Sequence, residues 1–223
     1  MWSLYSRVCD LVGKLFRIVV MPDFCALCDQ LLHDTLLLCP SCFKKVQPVA
    51  SKTILQGKKQ LCTVHALSLY RNEFKPLIHA KFYSNRALCQ ELGTITWQHS
   101  TIRSSDFDII VPIPLHWTRY AWRGFNQAEE MAKAISRQSN KPVVHFLKRV
   151  RKTNYQSLLN KEERSLNLRA AFEIALSVLK YNTYKNARIL LVDDLYTTGS
   201  TVQEAIRTLN VKTHVHVLVA FRT

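Results

Sequence analysis

A chain of 223 residues, 48% apolar and 21% charged, can bury a core without disulfide crosslinks and is too apolar to remain disordered. It carries 31 Lys and Arg against 16 Asp and Glu, a net charge of +15, which favours a polyanionic partner such as nucleic acid or a phosphorylated ligand. The surplus is uneven, since ten basic and only three acidic residues fall between 141 and 185, and no stretch nears the roughly 18 uninterrupted apolar residues of a transmembrane helix.

The first twenty residues are apolar but interrupted at helical intervals by Arg7, Asp10, Lys14 and Arg17. They have neither the clean apolar centre nor the small-residue cleavage site of a secretory signal. Cys25-x-x-Cys28 and Cys39-x-x-Cys42 follow, ten residues apart. Two such knuckles can place four thiolates around one tetrahedral Zn²⁺, at about 2.3 Å each. Two disulfides, or unrelated buried thiols, are the alternative, and the regular paired spacing favours structural zinc. A unit below roughly 40 residues lacks a sufficient core, so the metal would supply its folding energy. Cys9, Cys62 and Cys89 show no partner spacing and read as buried apolar residues. Reduced thiols with zinc point to the cytoplasm. Residues 1–47 therefore read as an N-terminal helix and a four-cysteine zinc finger. The polar, Lys-rich stretch 48–61 reads as a linker to a main domain over 62–223.

In that domain Thr63–Tyr70, Phe107–Ile113, Val143–Leu147, Arg188–Asp193 and His214–Phe221 are expected strands. Ala128, Met131, Ala132 and Ile135 carry helical spacing, with Asn126 and Glu129 as a capping box. Val202, Ala205, Ile206 and Leu209 repeat that spacing, with Thr201 and Glu204 as the cap. Alternating strand and helix predict an α/β fold with a mainly parallel sheet. His214 and His216 alternate with valines, which predicts an ordinary sheet face and not a metal site.

The most specific segment runs Arg188-Ile-Leu-Leu-Val-Asp-Asp-Leu-Tyr-Thr-Thr-Gly-Ser-Thr201. A buried strand ends in Asp193-Asp194, and a loop of small hydroxyl residues then opens a helix. Ligands of open α/β sheets sit beyond the carboxyl ends of strands, and free N–H groups at a helix start favour an anion. Gly199, without a Cβ, lets the backbone approach that anion. Two carboxylates beside a phosphate cradle repel the phosphate unless they bind hydroxyls or a cation. A phosphorylated sugar with Mg²⁺ meets both conditions.

This segment closely resembles the phosphoribosyl pyrophosphate (PRPP) signature of type I phosphoribosyltransferases. The resemblance implies that Asp193 and Asp194 hold ribose hydroxyls, and that Thr197, Thr198, Gly199, Ser200 and Thr201 wrap the 5′-phosphate. Val111 to Gln127, Leu77 to Tyr83, Arg151 to Gln156 with Arg164, Asn167 and Phe172, and the cysteine pairs are together similar to the ComF competence proteins. That resemblance spans 21–223. It implies a type I phosphoribosyltransferase fold behind an N-terminal zinc finger, and a role in natural transformation. In that role the protein handles incoming single-stranded DNA in the cytoplasm, beside other competence or DNA-processing proteins.

The same pattern implies that the loop Pro112, Ile113, Pro114, Leu115 binds pyrophosphate. Phosphoribosyl transfer needs cations over the departing pyrophosphate, and Lys81 and Arg123 are the first candidates for that catalytic role. Phosphoribosyltransferases acting on 6-oxopurines usually carry an acid where this chain has Thr197, so that substrate class is not expected. Trp117, Arg119, Tyr120 and Arg123, with Lys148, Arg149, Arg151 and Lys152, mix aromatic rings and cations as a single-strand nucleic-acid groove requires. Two functions follow: a Mg²⁺-dependent phosphoribosyltransferase, or an inactive fold of that type that binds single-stranded DNA or a partner protein.

Overall fold

The computed structural model describes residues 23–32, 37–56, 60–78, 85–151, 170–175, 183–184, 186–211 and 213–223. The chain divides into two compact units, one ending at Val46 and the other beginning at Gln47.

The expected N-terminal helix lies outside the described residues, and the described residues of the first unit contain little regular structure. Two-residue strands β1 (Asp23–Phe24) and β2 (Leu31–Leu32) pair antiparallel, and α1 (Pro40–Phe43) is a single turn with proline in its first position. Pro40 suits that position because its missing N–H would have no helical partner there.

The second unit is built on a five-stranded sheet of order β3 (Lys52–Gln56), β4 (Gln60–Leu69), β9 (Val215–Arg222), β8 (Ile189–Tyr196), β5 (Ile109–Pro112). All neighbours from β4 to β5 run parallel, and only the edge pair β3–β4 is antiparallel. The central strands are buried along most of their length, and their Val, Ile and Leu runs are what a sheet covered on both faces requires. Helices α3 (Arg86–Gln98) and α5 (Gln127–Ser139) pack together over one face. A Cβ on Gly93 would stand 2.7 Å from the backbone of Met131, so glycine sets how closely these helices approach. The other face carries α6 (Ser200–Leu209), through Val202, Ala205, Ile206 and Leu209, and the antiparallel hairpin β6 (Leu147–Arg149) with β7 (Phe172–Ile174). The short helices α2 (Lys75–Ile78) and α4 (Trp117–Arg123) complete the described set.

The expected α/β class with a mainly parallel sheet is thus present, and three local expectations change. The expected linker 48–61 contains β3 and the start of β4, registered Lys52 to Val64 and Gln56 to Gln60. An edge strand has one partner and one solvent side, so its polar residues are tolerated there, with the Thr53 and Thr63 hydroxyls 3.0 Å apart. Val143–Leu147 is not one strand: Val143 makes a parallel bridge to Ile110, and β6 begins only at Leu147. Thr201 does not cap α6. Its cap is Gly199, and Glu204 accepts from the Ala170 N–H at 2.6 Å while pairing with Arg207.

The two strand histidines lie on a sheet face, as expected, and meet a third. His65 is 7% exposed; its Nδ1 lies 3.0 Å from Thr101 Oγ1 and its Nε2 3.2 Å from His216 Nδ1. His214 reaches Thr63 Oγ1 at 2.9 Å. Burial, then the neighbouring His216, bring the His65 pKa down to about 4, Asp106 opposing and His214 adding to the fall. His216 is lowered too, by burial and His214, with Asp106 opposing and Arg188 assisting. From the ordinary value near 6.5 down to about 4, the unfolded chain takes up the His65 proton and the native chain does not. Stability is therefore full above pH 6.5 and declines by about 3 kcal/mol from this group as pH falls to about 4. Urea melts at a series of pH values should show a shallower decline for His65→Gln than for the parent. An equal decline would mean that His65 does not carry it.

Candidate functional site

Strands β5 and β8 lie side by side and parallel, so their carboxyl ends open on the same edge of the sheet. The loop after β5 begins where the Ile113 N–H donates to the Val192 carbonyl at 2.9 Å. Buried Asn126 fixes the same loop by donating from Nδ2 to the Ile113 carbonyl at 2.9 Å, while its Oδ1 caps α5 at Ala128 N–H. Pro112–Leu115 is thereby held beside the acidic end of β8. Beyond β8, Thr197, Thr198 and Gly199 turn into α6. Gly199 has φ +77°, and an added Cβ would meet the Tyr196 ring, with Cζ at 2.7 Å. The Thr198 and Ser200 hydroxyls lie 2.7 Å apart at the helix start. The residues of both loops thus lie at the same carboxyl edge of β5 and β8, and the space they border is the candidate cleft.

Strand periodicity starts Asp193 and Asp194 toward opposite faces of the sheet, and at the strand end their carboxyl groups still meet in a hydrogen bond. Each meets its own cation. Asp193 lies on the hairpin side, where its charge opposes the depression of the Arg149 pKa. Asp194 lies on the α3–α5 side near Arg123, and its charge also reaches Cys89. Burial and the charge of Asp194 raise the Asp193 pKa well above the usual carboxylate range, with Arg149 opposing. Burial raises Asp194 as well, against the pull of its hydrogen bond to Asp193 and of Arg123. A pair of half-buried acids that resist ionising is suited to receive hydroxyl donors or a divalent cation.

Arg149 does not stand on an open basic surface. Its guanidinium lies 5.6 Å from the Phe172 ring centroid, its residue bridges to His116, and burial followed by Arg119 brings its pKa down to about 10. Lys148 on the same strand is exposed and paired with Glu173 at 2.9 Å, and Arg151 is exposed at the end of the hairpin strand. Lys81 and Lys152 lie outside the described residues.

Helix α4 carries the remaining candidates. His116 caps it by accepting the Thr118 N–H, and left-handed Gly124 ends it. Trp117, Tyr120 and Trp122 are 70%, 48% and 72% exposed. Arg119 and Arg123 are half-buried, with Arg123 donating to Gln127 Oε1 at 3.5 Å. At 100° per residue the two arginines share a side opposite Trp117 and Ala121. The two arginines are half-buried and the three rings exposed; Trp117 and Tyr120 lie about 60° apart on one side of the helix, while Trp122 lies about 60° from Arg119 on the other.

In the first unit Cys25, Cys28, Cys39 and Cys42 bring their sulfurs within 4.8 Å of one another, three of them buried and Cys28 exposed. The Cys25 N–H donates to Gln30 and its carbonyl accepts from Asp29, whose φ is +59°. Cys39 caps α1 by accepting the Cys42 N–H at 3.4 Å. Such N–H···S bonds orient metal thiolates and stabilise their charge. Burial raises the Cys25 thiol, yet the surrounding hydrogen bonds, that of Cys39 foremost, bring it down to about 6, whereas burial and its three neighbours push Cys42 up. Four thiols this close cannot all ionise without a cation, so the cluster can hold a metal such as zinc.

No protein-family model matches the chain. Competence protein F of Haemophilus influenzae is 30% identical over 188 residues, covering 83% of this chain and 78% of its own length. The chain belongs to the ComF family. A DNA utilization protein of Escherichia coli K12, YhgH, is 29% identical over 198 residues and covers 83% of both chains. Competence protein ComFC of Bacillus subtilis is 38% identical over 101 residues, or 45% of this chain and 38% of the relative. Among solved structures, a glutamine PRPP amidotransferase of B. subtilis complexed with ADP and GMP matches 59% of this chain and 25% of its own, with 18% identity and a TM-score of 0.39.

In this ComF chain, sequence reasoning misses three contributors to the site. Asn126 reads in the sequence only as a helix cap, although it also holds the β5 loop. His116 carries the α4 cap and the bridge to Arg149. Cys89 sits buried on α3 behind Asp194. No spacing rule links any of these to the acidic strand end, because the proximity is made by tertiary packing. Among the described residues no helix is long and apolar enough to cross a membrane.

Proposed function

We propose that the chain is a PRPP-binding, phosphoribosyltransferase-like protein of DNA uptake that handles incoming single-stranded DNA in the cytoplasm. The observation that carries this reading is the convergence of Pro112–Leu115, Asp193–Asp194 and Thr197–Thr201 on one sheet edge. In it Asp193 and Asp194 bind ribose hydroxyls, and Thr197 to Thr201 surround the 5′-phosphate with N–H and hydroxyl donors. Pro112 to Leu115 line the pyrophosphate, and Arg123 supplies a cation for it, with Lys81 as the second cation that the family resemblance implies. Arg149 and Arg119 supply further positive charge on the hairpin side. Mg²⁺, when bound, offsets the pyrophosphate charge and is compatible with the acid pair; zinc fills the four-cysteine cluster.

The names of the relatives, competence and DNA utilization proteins, support a DNA partner, as do the +15 charge and the exposed rings of α4. Binding of labelled oligo-dT should weaken steeply as salt rises from about 50 to 200 mM, since cation–phosphate pairing releases counterions. Lys148→Ala with Arg151→Ala should lower affinity and reduce the salt slope by about one for each phosphate that is no longer neutralised. Affinity indifferent to both salt and these changes would contradict the DNA reading. The exposure of α4's rings keeps a second reading in view, in which DNA binding needs no turnover at the PRPP site.

A further inference from the structure

Helix α4 presents one side to the cleft and another to solvent, and we propose that it couples the two: a sugar-phosphate anion held in the cleft fixes α4 and so raises the affinity of Trp117 and Tyr120 for single-stranded nucleic acid. The inference rests on the reading of the cleft and of the DNA partner given above.

A helix of seven residues falls well short of the roughly 12–15 that hold together alone in water. Burial does not make up the difference, because none of the seven side chains of α4 is buried. Its hold comes from its ends and its inner side. His116 caps the start, the Gly124 N–H donates to Tyr120 at 2.7 Å, and Arg86 donates to the Gly124 carbonyl at 2.9 Å. On the inner side half-buried Arg123, held by Gln127, lies near Asp194, and Arg149 lies near Asp193. Half-buried Arg119 lies near enough to Arg149 for the two like charges to oppose each other. A polyanion at this corner replaces that repulsion with attraction and ties α4 to the cleft.

The outer side fits bases better than a protein surface. Trp117 and Tyr120, three residues apart, stand on neighbouring turns of one face and are both exposed. Stacking on such rings tolerates any base, and the chain's surplus of 15 positive charges complements a phosphate backbone. The sign of the coupling follows from distance. A helix with its side chains is about 10–12 Å across, longer than the Debye length of about 8 Å at 0.15 M salt. Repulsion between the anion and the DNA across α4 is therefore screened, and the gain from ordering the helix remains.

The test is the affinity of fluorescein-labelled oligo-dT at 0.15 M salt, measured by polarisation with and without saturating Mg²⁺ and PRPP. The reciprocal titration of PRPP with and without oligo-dT follows by calorimetry. DNA affinity should rise about fivefold or more, and PRPP affinity by the same factor, because linkage is reciprocal. In Trp117→Ala with Tyr120→Ala, DNA binding should be lost and the PRPP titration should no longer respond to oligo-dT. Binding of both ligands with unchanged or weakened affinities overturns the coupling and leaves the proposed function standing. No PRPP binding at all overturns the reading of the cleft and the coupling with it. Undiminished DNA binding in the aromatic variant assigns that face to another partner and also overturns the inference.

Discussion

Asp193→Asn combined with Asp194→Asn is expected to abolish Mg²⁺-dependent PRPP binding while raising the melting temperature at pH 7. The two effects have one origin. Both acids have pKa values raised in the native state, by burial first and, for Asp193, by the adjacent charge of Asp194. A group whose native pKa exceeds its unfolded value stabilises the fold fully below the unfolded pKa and loses that contribution as pH rises through the native one. At pH 7 the pair therefore costs stability, and neutral amides of the same shape remove much of that cost. A gain of about 1 kcal/mol corresponds to roughly 2–4 °C in a chain of this size. The gain should shrink as pH falls toward 4, where the parent acids become protonated. Differential scanning calorimetry at pH 7 and pH 4 checks this. A double variant that melts lower at pH 7 would indicate that Arg149 and Arg123 compensate the acids fully, and that the pair is structural.

The second large effect belongs to the four-cysteine unit. Leu37, Leu38 and Ala26 are its buried apolar side chains besides the cysteines among the described residues, too few to hold the described segments around the cysteines by packing with one another. One zinc per chain is expected, and apparent binding free energies of structural zinc sites, about 10–16 kcal/mol, exceed what the unit can supply by packing. Cys25→Ser or Cys42→Ser should therefore leave residues 23–46 open to rapid proteolysis while the sheet unit resists. Chelation of the parent should do the same. Cobalt substitution gives an independent readout, because thiolate ligation produces an intense near-ultraviolet band that either variant should diminish. Full resistance of the unit after chelation, with no zinc in the purified protein, would contradict a metal-held fold.

The parts of this molecule legible in the sequence are those in which function and structure share a short stretch of chain. Strand β8, its acidic end, the Thr-Thr-Gly loop and α6 are contiguous, so apolar run, acid pair and helical spacing all point to one place. The cysteine pairs are legible for the same reason. Strand β3 is hidden because an edge strand with one solvent side has no need of the apolar alternation that marks a half-buried strand. Helix α4 is hidden because seven residues give less than two turns in which a period can show. The long-range contacts of Asn126 and Arg149 are not legible, since each acts on a segment brought to it by the sheet: Asn126 on the loop 13 residues before it, and Arg149 on an acid 44 residues after it.

The central claim is that the carboxyl edge of β5 and β8 is a sugar-phosphate site. Calorimetric titration of the zinc-loaded protein with PRPP, first with Mg²⁺ and then with EDTA, tests it most directly. Saturable binding near one PRPP per chain is expected with Mg²⁺, and none once EDTA has removed the ion. Absence of binding under both conditions, from protein that still melts cooperatively, would contradict it.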